Sequence, residues 1–342
     1  MGLTDGMRID RWTADDRAAL RGCKQAWDAA LALEDPDGSR MPERLLSVWF
    51  CQGFTGDPAQ AWFASGSEPG TVLGWYRLEL PDLENTDRAF VILVVHPAHR
   101  RQGLGRALLR HAAGQAAAAG RSLLWSEARD GSAGEAFAAA AGAKQGIAGG
   151  IRRLDLRSLP AGKIGALRAG AQAAAAGYTL VRWAGPTPPE YGASFARVLN
   201  AINDAPHDEG VEDESWDAER VRARNDAPTE AMGLRKHTIA ARHDASGEIA
   251  AMSEVSVDPD DPPWAHQGLT AVAKQHRGHR LGLLLKTAML EWLAEAEPQV
   301  ERVETGNALS NKHMIAVNET LGFVLAQPTF HNFELEVARV LD

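Results

Sequence analysis

Two stretches of this chain repeat one pattern at a fixed distance. Residues 90–119 read FVILVVHPAHRRQGLGRALLRHAAGQAAAA, and residues 268–297 read GLTAVAKQHRGHRLGLLLKTAMLEWLAEAE. A shift of 177 positions superposes the turn HRRQGLG on the turn HRGHRLG, and it lays residues 71–80 over residues 248–257 without a gap. A repeat that covers two strands, a turn and a helix predicts two copies of one fold.

Each copy changes its hydrophobic pattern at the turn. A short apolar run before the turn is typical of a buried strand, and the Leu- and Ala-rich segment after it favours a helix. Strands that alternate with helices indicate an α/β class. We therefore expect an N-terminal domain at 1–157, a connector at 158–177 and a C-terminal domain at 178–342.

Length and charge exclude several classes of protein. The 342 residues suit two domains, and the chain has no apolar run long enough for a membrane span and no basic-then-apolar start typical of a signal peptide. Two cysteines and no metal-ligand spacing favour a reducing, cytoplasmic setting without a metal site. The net charge of −9 argues against a general nucleic-acid binder.

The first turn is suited to a diphosphate. The first N–H groups of a helix have no intrahelical partner, and the helix dipole adds partial positive charge there. Gly103 and Gly105 allow the backbone to approach phosphate closely, and Arg100, Arg101 and Arg106 add mobile positive charge around it.

These residues resemble a known family. The sequence RRQGLG at 100–105 matches the Gln/Arg-x-x-Gly-x-Gly/Ala pattern of the GCN5-related N-acetyltransferases (GNAT), and the chain resembles tandem GNAT proteins of the mycothiol-synthase-like type. The resemblance implies two tandem domains with a mixed α+β sheet, and an acyltransferase that takes acetyl-CoA. In the second copy Arg280 stands where the pattern has its first glycine, so its side chain either contacts phosphate or blocks the site.

The resemblance also implies which residues hold the cofactor. Backbone groups of the strand before each turn would bind the pantetheine arm and the acetyl carbonyl, and the turn itself would bind the diphosphate. In the first copy these residues are Val94, Val95, Arg100, Arg101, Gln102, Gly103, Leu104, Gly105 and Arg106. In the second they are Ala271, Val272, Arg277, Gly278, His279, Arg280, Leu281 and Gly282, with Asn307 and Asn311 from the polar segment further along the chain.

Both copies depart from the family at the acid. GNAT enzymes often protonate the leaving thiolate with a Tyr four residues before a Gly-Phe pair, and this position holds Asn318 in the second copy and Ala138 in the first. Asn318 hydrogen-bonds but is not a Brønsted acid. Because the second copy keeps more polar side chains near this position, we place catalysis there and expect the first to bind CoA only or to be a structural relic.

Glu254 is the candidate base. Alternation along its strand puts it on the face of Met252 and Ser256, although an exposed strand glutamate is an equal alternative. His237 and His266 are further candidates, and the weaker ones in the first copy are Glu79 and Glu127.

Spacing does not identify the acceptor. The acidic segment 205–220 suits either a cationic amine or an ordinary solvated helix start. We expect a small-molecule primary amine of antibiotic, amino-sugar or thiol-precursor type, and a monomer or homodimer. The alternatives are a degenerate CoA-binding sensor or scaffold and a protein-lysine acetyltransferase.

Overall fold

The computed structural model describes residues 7–66 and 71–342, which divide into two compact units. The first unit comprises Met1–Ala148 and Pro328–Asp342, and the second comprises Gly149–Gln327. These bounds differ from the expected domains, since 149–157 and the connector belong to the second unit and 328–342 to the first. A repeat predicts that each copy ends in a strand, but it does not predict which sheet edge that strand joins.

The elements follow the repeat. The first copy contains β1 (Arg8–Arg11), α1 (Arg17–Glu34), α2 (Glu43–Trp49), β2 (Ala59–Ser65), β3 (Val72–Glu79), β4 (Arg88–Val95), α3 (Leu104–Ala118), β5 (Leu123–Arg129), α4 (Ala133–Ala141) and β6 (Lys144–Asp155). Next come α5 (Lys163–Ala174), β7 (Tyr178–Ala184), α6 (Gly192–Leu199), α7 (Ala218–Arg220), a π-helical turn (Val221–Asp226) and α8 (Ala227–Ala231). The rest is β8 (Arg235–His243), β9 (Ile249–Val257), β10 (Trp264–Val272), α9 (Leu281–Ala296), β11 (Arg302–Ala308), α10 (Lys312–Leu321), β12 (Val324–Leu325), β13 (Phe330–Glu336) and α11 (Val337–Leu341).

Each unit contains a mixed sheet, as the fold class requires. In the first unit the strand order is β1-β2-β3-β4-β5-β13, with β4 and β5 parallel and the other neighbours antiparallel. In the second unit it is β7-β8-β9-β10-β11-β6, with β10 and β11 parallel. The sequence repeat is therefore a repeat of topology.

The helix after each turn covers its sheet. Leu104, Leu108 and Ala112 of α3 are buried in the core of the first unit, and Leu281 and Leu285 of α9 are buried in that of the second. Apolar residues at spacings of three and four give each helix one buried face. Among the helices of the described chain, none combines the length and apolar character of a membrane-crossing segment.

Candidate active site

The two basic turns share one backbone conformation. In the first turn Arg101 (φ 64°) and Gly103 (φ 87°) are left-handed, and 177 positions later so are Gly278 (φ 89°) and Arg280 (φ 55°). Glycine occupies one of the two left-handed positions in each turn, but not the same one. A left-handed non-glycine residue is uncommon and costs about 1 kcal/mol or more. Since the strain is accepted in both copies, the turn that presents the first N–H groups of α3 and α9 is preserved despite Arg280.

The leading arginine of each turn has a structural role. Nε of Arg100 donates to the carbonyl of Val95 at 3.2 Å, and Nε of Arg277 donates to that of Val272 at the same distance. Each guanidinium also pairs with a carboxylate from the preceding helical segment, Glu34 or Asp204. These arginines are therefore held in place, which corrects the expectation of mobile charge for Arg100. Arg101, Gln102, Arg106, His279 and Arg280 are exposed around the turns.

Next to each turn the two parallel strands separate. β10 and β11 are paired from Trp264 with Arg302 to His266 with Glu304, yet β10 runs on to Val272. In the first unit the pairing of β4 with β5 covers three positions, and β4 continues for five more residues. The parallel strands of each unit therefore leave an opening beside Val94 and Val95, or beside Ala271 and Val272.

A β-bulge distinguishes the second unit. The register between β9 and β10 shifts between Gln267 and Thr270, opposite Glu254, whereas β3 and β4 pair without a shift over residues 74–79. The side-chain amide of Gln267 donates to the main-chain carbonyl of Glu254 at 2.6 Å. The main-chain carbonyl of Gln267 accepts from Thr305 Oγ1 at 3.2 Å. Bulges next to active sites redirect side chains, and here the bulge fixes the backbone that carries the candidate base.

Glu254 lies on the predicted face of β9. Met252, two residues before it, packs with Phe195 of α6, while Val255 packs on the α9 side. The Glu254 side chain is 7% exposed, so it is not the exposed strand glutamate of the alternative interpretation. Position 254 therefore faces α6 and the π-helical turn.

One oxygen of Glu254 is held and the other is not. Oε1 accepts from Asn225 Nδ2 at 3.0 Å and lies 3.4 Å from Nζ of the buried Lys236. Lys236 also pairs with the buried Asp226 at 2.6 Å. Asn225 and Asp226 end the π-helical turn, a feature frequent at functional sites. Within the described residues Oε2 makes no hydrogen bond, so it is available to a bound group.

The equivalent place in the first unit has other chemistry. Arg77, 177 positions before Glu254, is fully buried, pairs with Glu79 and lies over the Trp49 ring at 4.5 Å. The aromatic rings of Trp27, Trp49 and Trp75 pack against one another beside it. This face is filled by side chains, and Arg77 cannot act as a base. Burial raises the pKa of Glu79 and the ion pair with Arg77 opposes that shift. Glu79 is therefore the counter-ion of the buried Arg77.

Asn318 is fully buried between two other elements. Its Oδ1 accepts from Nζ of Lys286 in α9 at 2.9 Å, and its Nδ2 donates to Oδ1 of Asn307 in β11 at 2.8 Å. Burial lowers the pKa of Lys286 from 10.5 to about 7. Asn311, in contrast, caps α10 by accepting from the Met314 N–H at 3.2 Å.

Each histidine candidate pairs with a carboxylate other than Glu254. Thr238 pairs with Glu254 in the register of β8 and β9, so the side chain of the adjacent His237 lies on the opposite face of the sheet. There His237 forms a hydrogen bond with Glu297 at 2.9 Å. His266 lies 3.3 Å from Glu304 and is partly exposed. The residues missed by sequence reasoning are Asn225, Asp226, Lys236, Gln267 and Lys286. Of these, only Lys286 has a local signal, a single lysine inside the apolar run LGLLLKTAML.

Residues 7–66 and 71–342 contain no group of three or more His, Cys, Asp or Glu side chains placed to hold a metal ion.

Comparison with known proteins identifies the family. The model of the acetyltransferase (GNAT) family matches residues 25–138 and 197–323, well over half of the chain, and the chain belongs to this family. It is therefore an acyltransferase with two GNAT domains in tandem.

Solved structures extend this result along the whole chain. A tandem GNAT protein from the clavulanic acid biosynthesis pathway, solved without AcCoA, is 30% identical with a TM-score of 0.77, and the match covers 97% of this chain and 98% of that one. A GCN5-related N-acetyltransferase from Sphaerobacter thermophilus, 16% identical with a TM-score of 0.67 over 98% and 97% of the two chains, shares the fold. The search of curated proteins gave no match.

Proposed function

We propose that this protein is an acetyl-CoA-dependent N-acetyltransferase for a small-molecule primary amine, with the chemistry in its second unit. Members of the GNAT family generally use acetyl-CoA, which supplies the acetyl group as a thioester. The observation that carries the assignment to the second unit is Glu254, a buried carboxylate with one oxygen held by hydrogen bonds and the other available.

The residues present fit the cofactor. Both turns leave the first N–H groups of a helix open, and a Cβ placed at Gly282 would meet no atom within 4 Å, so this turn has room for a phosphate group. The residues proposed to hold acetyl-CoA in the second unit are Ala271, Val272, Gly278, His279, Arg280, Leu281, Gly282 and Asn307. In the first unit they are Val94, Val95, Arg101, Gln102, Gly103, Leu104, Gly105 and Arg106. Arg100 and Arg277 shape the turns, and Asn311 shapes α10.

Glu254 is proposed to take the proton of the acceptor amine. A base must lie within hydrogen-bond reach of the proton that it removes, and Oε2 is the oxygen free to do so. Asn225 fixes the carboxylate through Oε1, and Lys236, shared with Asp226, places a positive charge beside it. Residues from the π-helical turn therefore orient the base, and residues of β9 carry it.

Two findings support a small-molecule acceptor. The structural relative at 30% identity comes from clavulanic acid biosynthesis, a pathway that makes a small molecule. In addition, Glu254 and the neighbouring Lys236 and Asp226 are buried, which suits an amine on a small ligand better than one on the surface of a folded protein.

The test is turnover of a panel of small amines by the wild type and by Glu254→Gln. We expect Glu254→Gln to lower kcat/KM by about a hundredfold to ten-thousandfold, the usual range for loss of a general base. Glu190→Gln is the matched control, since Glu190 is an exposed residue of the same unit. Equal rates for Glu254→Gln and the control would overturn the role of Glu254.

The panel also separates the alternatives. Acetylation of peptide lysine in preference to every free amine would favour a protein acetyltransferase. Binding of acetyl-CoA with no turnover of any amine or peptide would favour a sensor or scaffold. The first unit already fits that second description, because Arg77 and three tryptophans occupy the face that carries the base in the second unit.

A further inference from the structure

The second unit buries two basic side chains that pair with no carboxylate in the part of the chain that the structure describes. Lys286 is 2% exposed and its Nζ bonds to the amide of Asn318. Arg152 of β6 is 4% exposed, and its Nε and Nη1 have no hydrogen-bond partner in the described chain. An unpaired buried charge costs several kcal/mol. Such groups persist where a function requires them.

Both cations lie on one face of the sheet of the second unit. Leu154 and Val303 pair across β6 and β11 and belong to the core beneath α9. Arg152 is two residues from Leu154 and pairs with Thr305, so alternation gives it the same face. Asn307, two residues beyond Thr305, lies on this face as well and bonds Asn318 of α10.

The face adjoins the opening between β10 and β11. Thr305 Oγ1 donates to the Gln267 carbonyl, and this bond joins the two strands just past their last paired position. Asn307 follows where the strands have separated. The Nδ2 group of Asn307 has no partner in residues 7–66 and 71–342, so it is a donor left for a ligand in the opening.

The first unit lacks all of this polar chemistry. Leu109 occupies the place of Lys286 in the repeat, and Ala138 occupies the place of Asn318 relative to the following glycine. The polar chain of Lys286, Asn318 and Asn307 therefore belongs to the second unit, together with Glu254 and the bulge. That coincidence ties it to the transfer step and not to the fold that both units share.

We propose that Lys286, held by Asn318, stabilises the CoA thiolate and replaces the missing tyrosine as the proton donor, with Arg152 of the same sheet face adding positive charge. The idea rests on the proposed function of the second unit. When the amine nitrogen attacks the thioester carbonyl, the carbon–sulfur bond breaks and its electron pair leaves with sulfur. The amine proton passes to Glu254, and the sulfur takes its proton from the Lys286 ammonium, which becomes a neutral amine. Positive charge fixed where negative charge develops is an effective form of catalysis.

The test measures the thiol of bound CoA and requires no acceptor. CoA is titrated into the full chain carrying Gly105→Glu, a substitution meant to abolish CoA binding at the first turn. The ultraviolet absorbance of the thiolate is then followed against pH. Because an ammonium and a thiolate in contact titrate as a pair, the thiolate should keep Lys286 protonated above the pH of about 7 at which the lysine titrates alone. We therefore expect the bound thiol to ionise at a pH at least about one unit below that of free CoA, a tenfold larger thiolate fraction. In Lys286→Met the shift should be lost, while Lys312→Met, an exposed lysine of α10, should keep it.

Three results would overturn the proposal. One is a thiol that ionises like free CoA when CoA is bound to the unchanged second unit. This measurement does not depend on whether a Lys286 variant folds. Another is a shift that survives in Lys286→Met. The third is CoA binding that Gly282→Glu leaves unchanged, which also removes the proposed function of the second unit. The first two leave acetyl transfer through Glu254 intact, so the two failures are distinguishable.

Discussion

Replacing Lys286 by Met should stabilise the protein, and the gain should depend on pH. Methionine has a similar volume and no charge, so it removes the desolvation of a buried ammonium without opening a cavity. Burial lowers the pKa of Lys286 from 10.5 to about 7. This shift of roughly 3.5 units, at about 1.4 kcal/mol per unit, corresponds to about 5 kcal/mol. That is a large fraction of the stability of a typical domain.

The sign follows from proton linkage. Below about pH 7 the lysine is charged in the folded and unfolded states, and the whole penalty acts on the folded state. Between about pH 7 and 10.5 the unfolded chain binds the extra proton, so the wild type gains stability as pH rises. Above that range both states are neutral and the penalty is gone. The advantage of Lys286→Met should therefore fall by about 1.4 kcal/mol per pH unit across this window.

Urea unfolding of both proteins at several pH values from about 7 to 10 measures this difference. Other titrating groups act on both proteins alike and cancel in the subtraction. Lys312→Met removes the same charge from an exposed site and should show no pH-dependent advantage. A difference between Lys286→Met and the wild type that stays constant with pH would refute the argument, because the lysine would then titrate alike in both states.

Three further predictions concern the cofactor, the base and the fold. Calorimetric titration of acetyl-CoA should find two sites per chain, and Gly282→Glu or Gly105→Glu should reduce this number to one. Gly114→Glu is the control, since a Cβ at Gly114 has as much space as one at Gly282, and it should leave both sites intact. Two sites in Gly282→Glu would contradict CoA binding at the second turn. In amine turnover, Glu254→Gln should lose at least about a hundredfold in kcat/KM while its acetyl-CoA affinity stays near that of the wild type; a parallel loss of affinity would indicate damage to the fold. Arg235 and His237 hold the pKa of Glu297 at about 2, so Glu297→Gln should lower the free energy of unfolding at neutral pH by about 3 kcal/mol. Because the pKa of Glu297 in the folded state lies below its usual value, the difference in free energy of unfolding between the wild type and Glu297→Gln should shrink as pH falls from about 4.5 toward 2. Chemical denaturation over this range measures it, and a difference that stays constant would contradict the prediction.

The sequence predicted what is local and repeated. Next to the basic turns the register follows the shift of 177, since Gly74 pairs with Val95 and Ala251 with Val272. The sequence also predicted the two basic turns, the two-domain GNAT architecture and the face of Glu254, because each depends on a short motif or on alternation. Arg280 was ambiguous because its left-handed backbone is visible only once the turn is folded.

The partners of the candidate base were not predictable in this way. Asn225 reaches Glu254 across 29 positions of sequence, and the bulge opposite Glu254 arises from a register shift that no residue pattern announces. Similarly, Arg152 shares a face with Asn307 only because β6 pairs with β11. Burial by distant segments decided which polar residues matter, and composition along one segment does not carry that information.

The two units differ most at the residues that we propose move protons. Both keep the turn, with its strained left-handed pair, and both keep the separation of the parallel strands. The second unit bears Glu254 at a position where the first bears Arg77, and it buries Lys286 where the first buries Leu109. An apolar residue at 286 would avoid the cost of burying an ammonium group, and the first unit has Leu109 at the matching position, yet the second unit retains the lysine. Stability alone therefore cannot account for Lys286, whereas a reaction that releases a thiolate can.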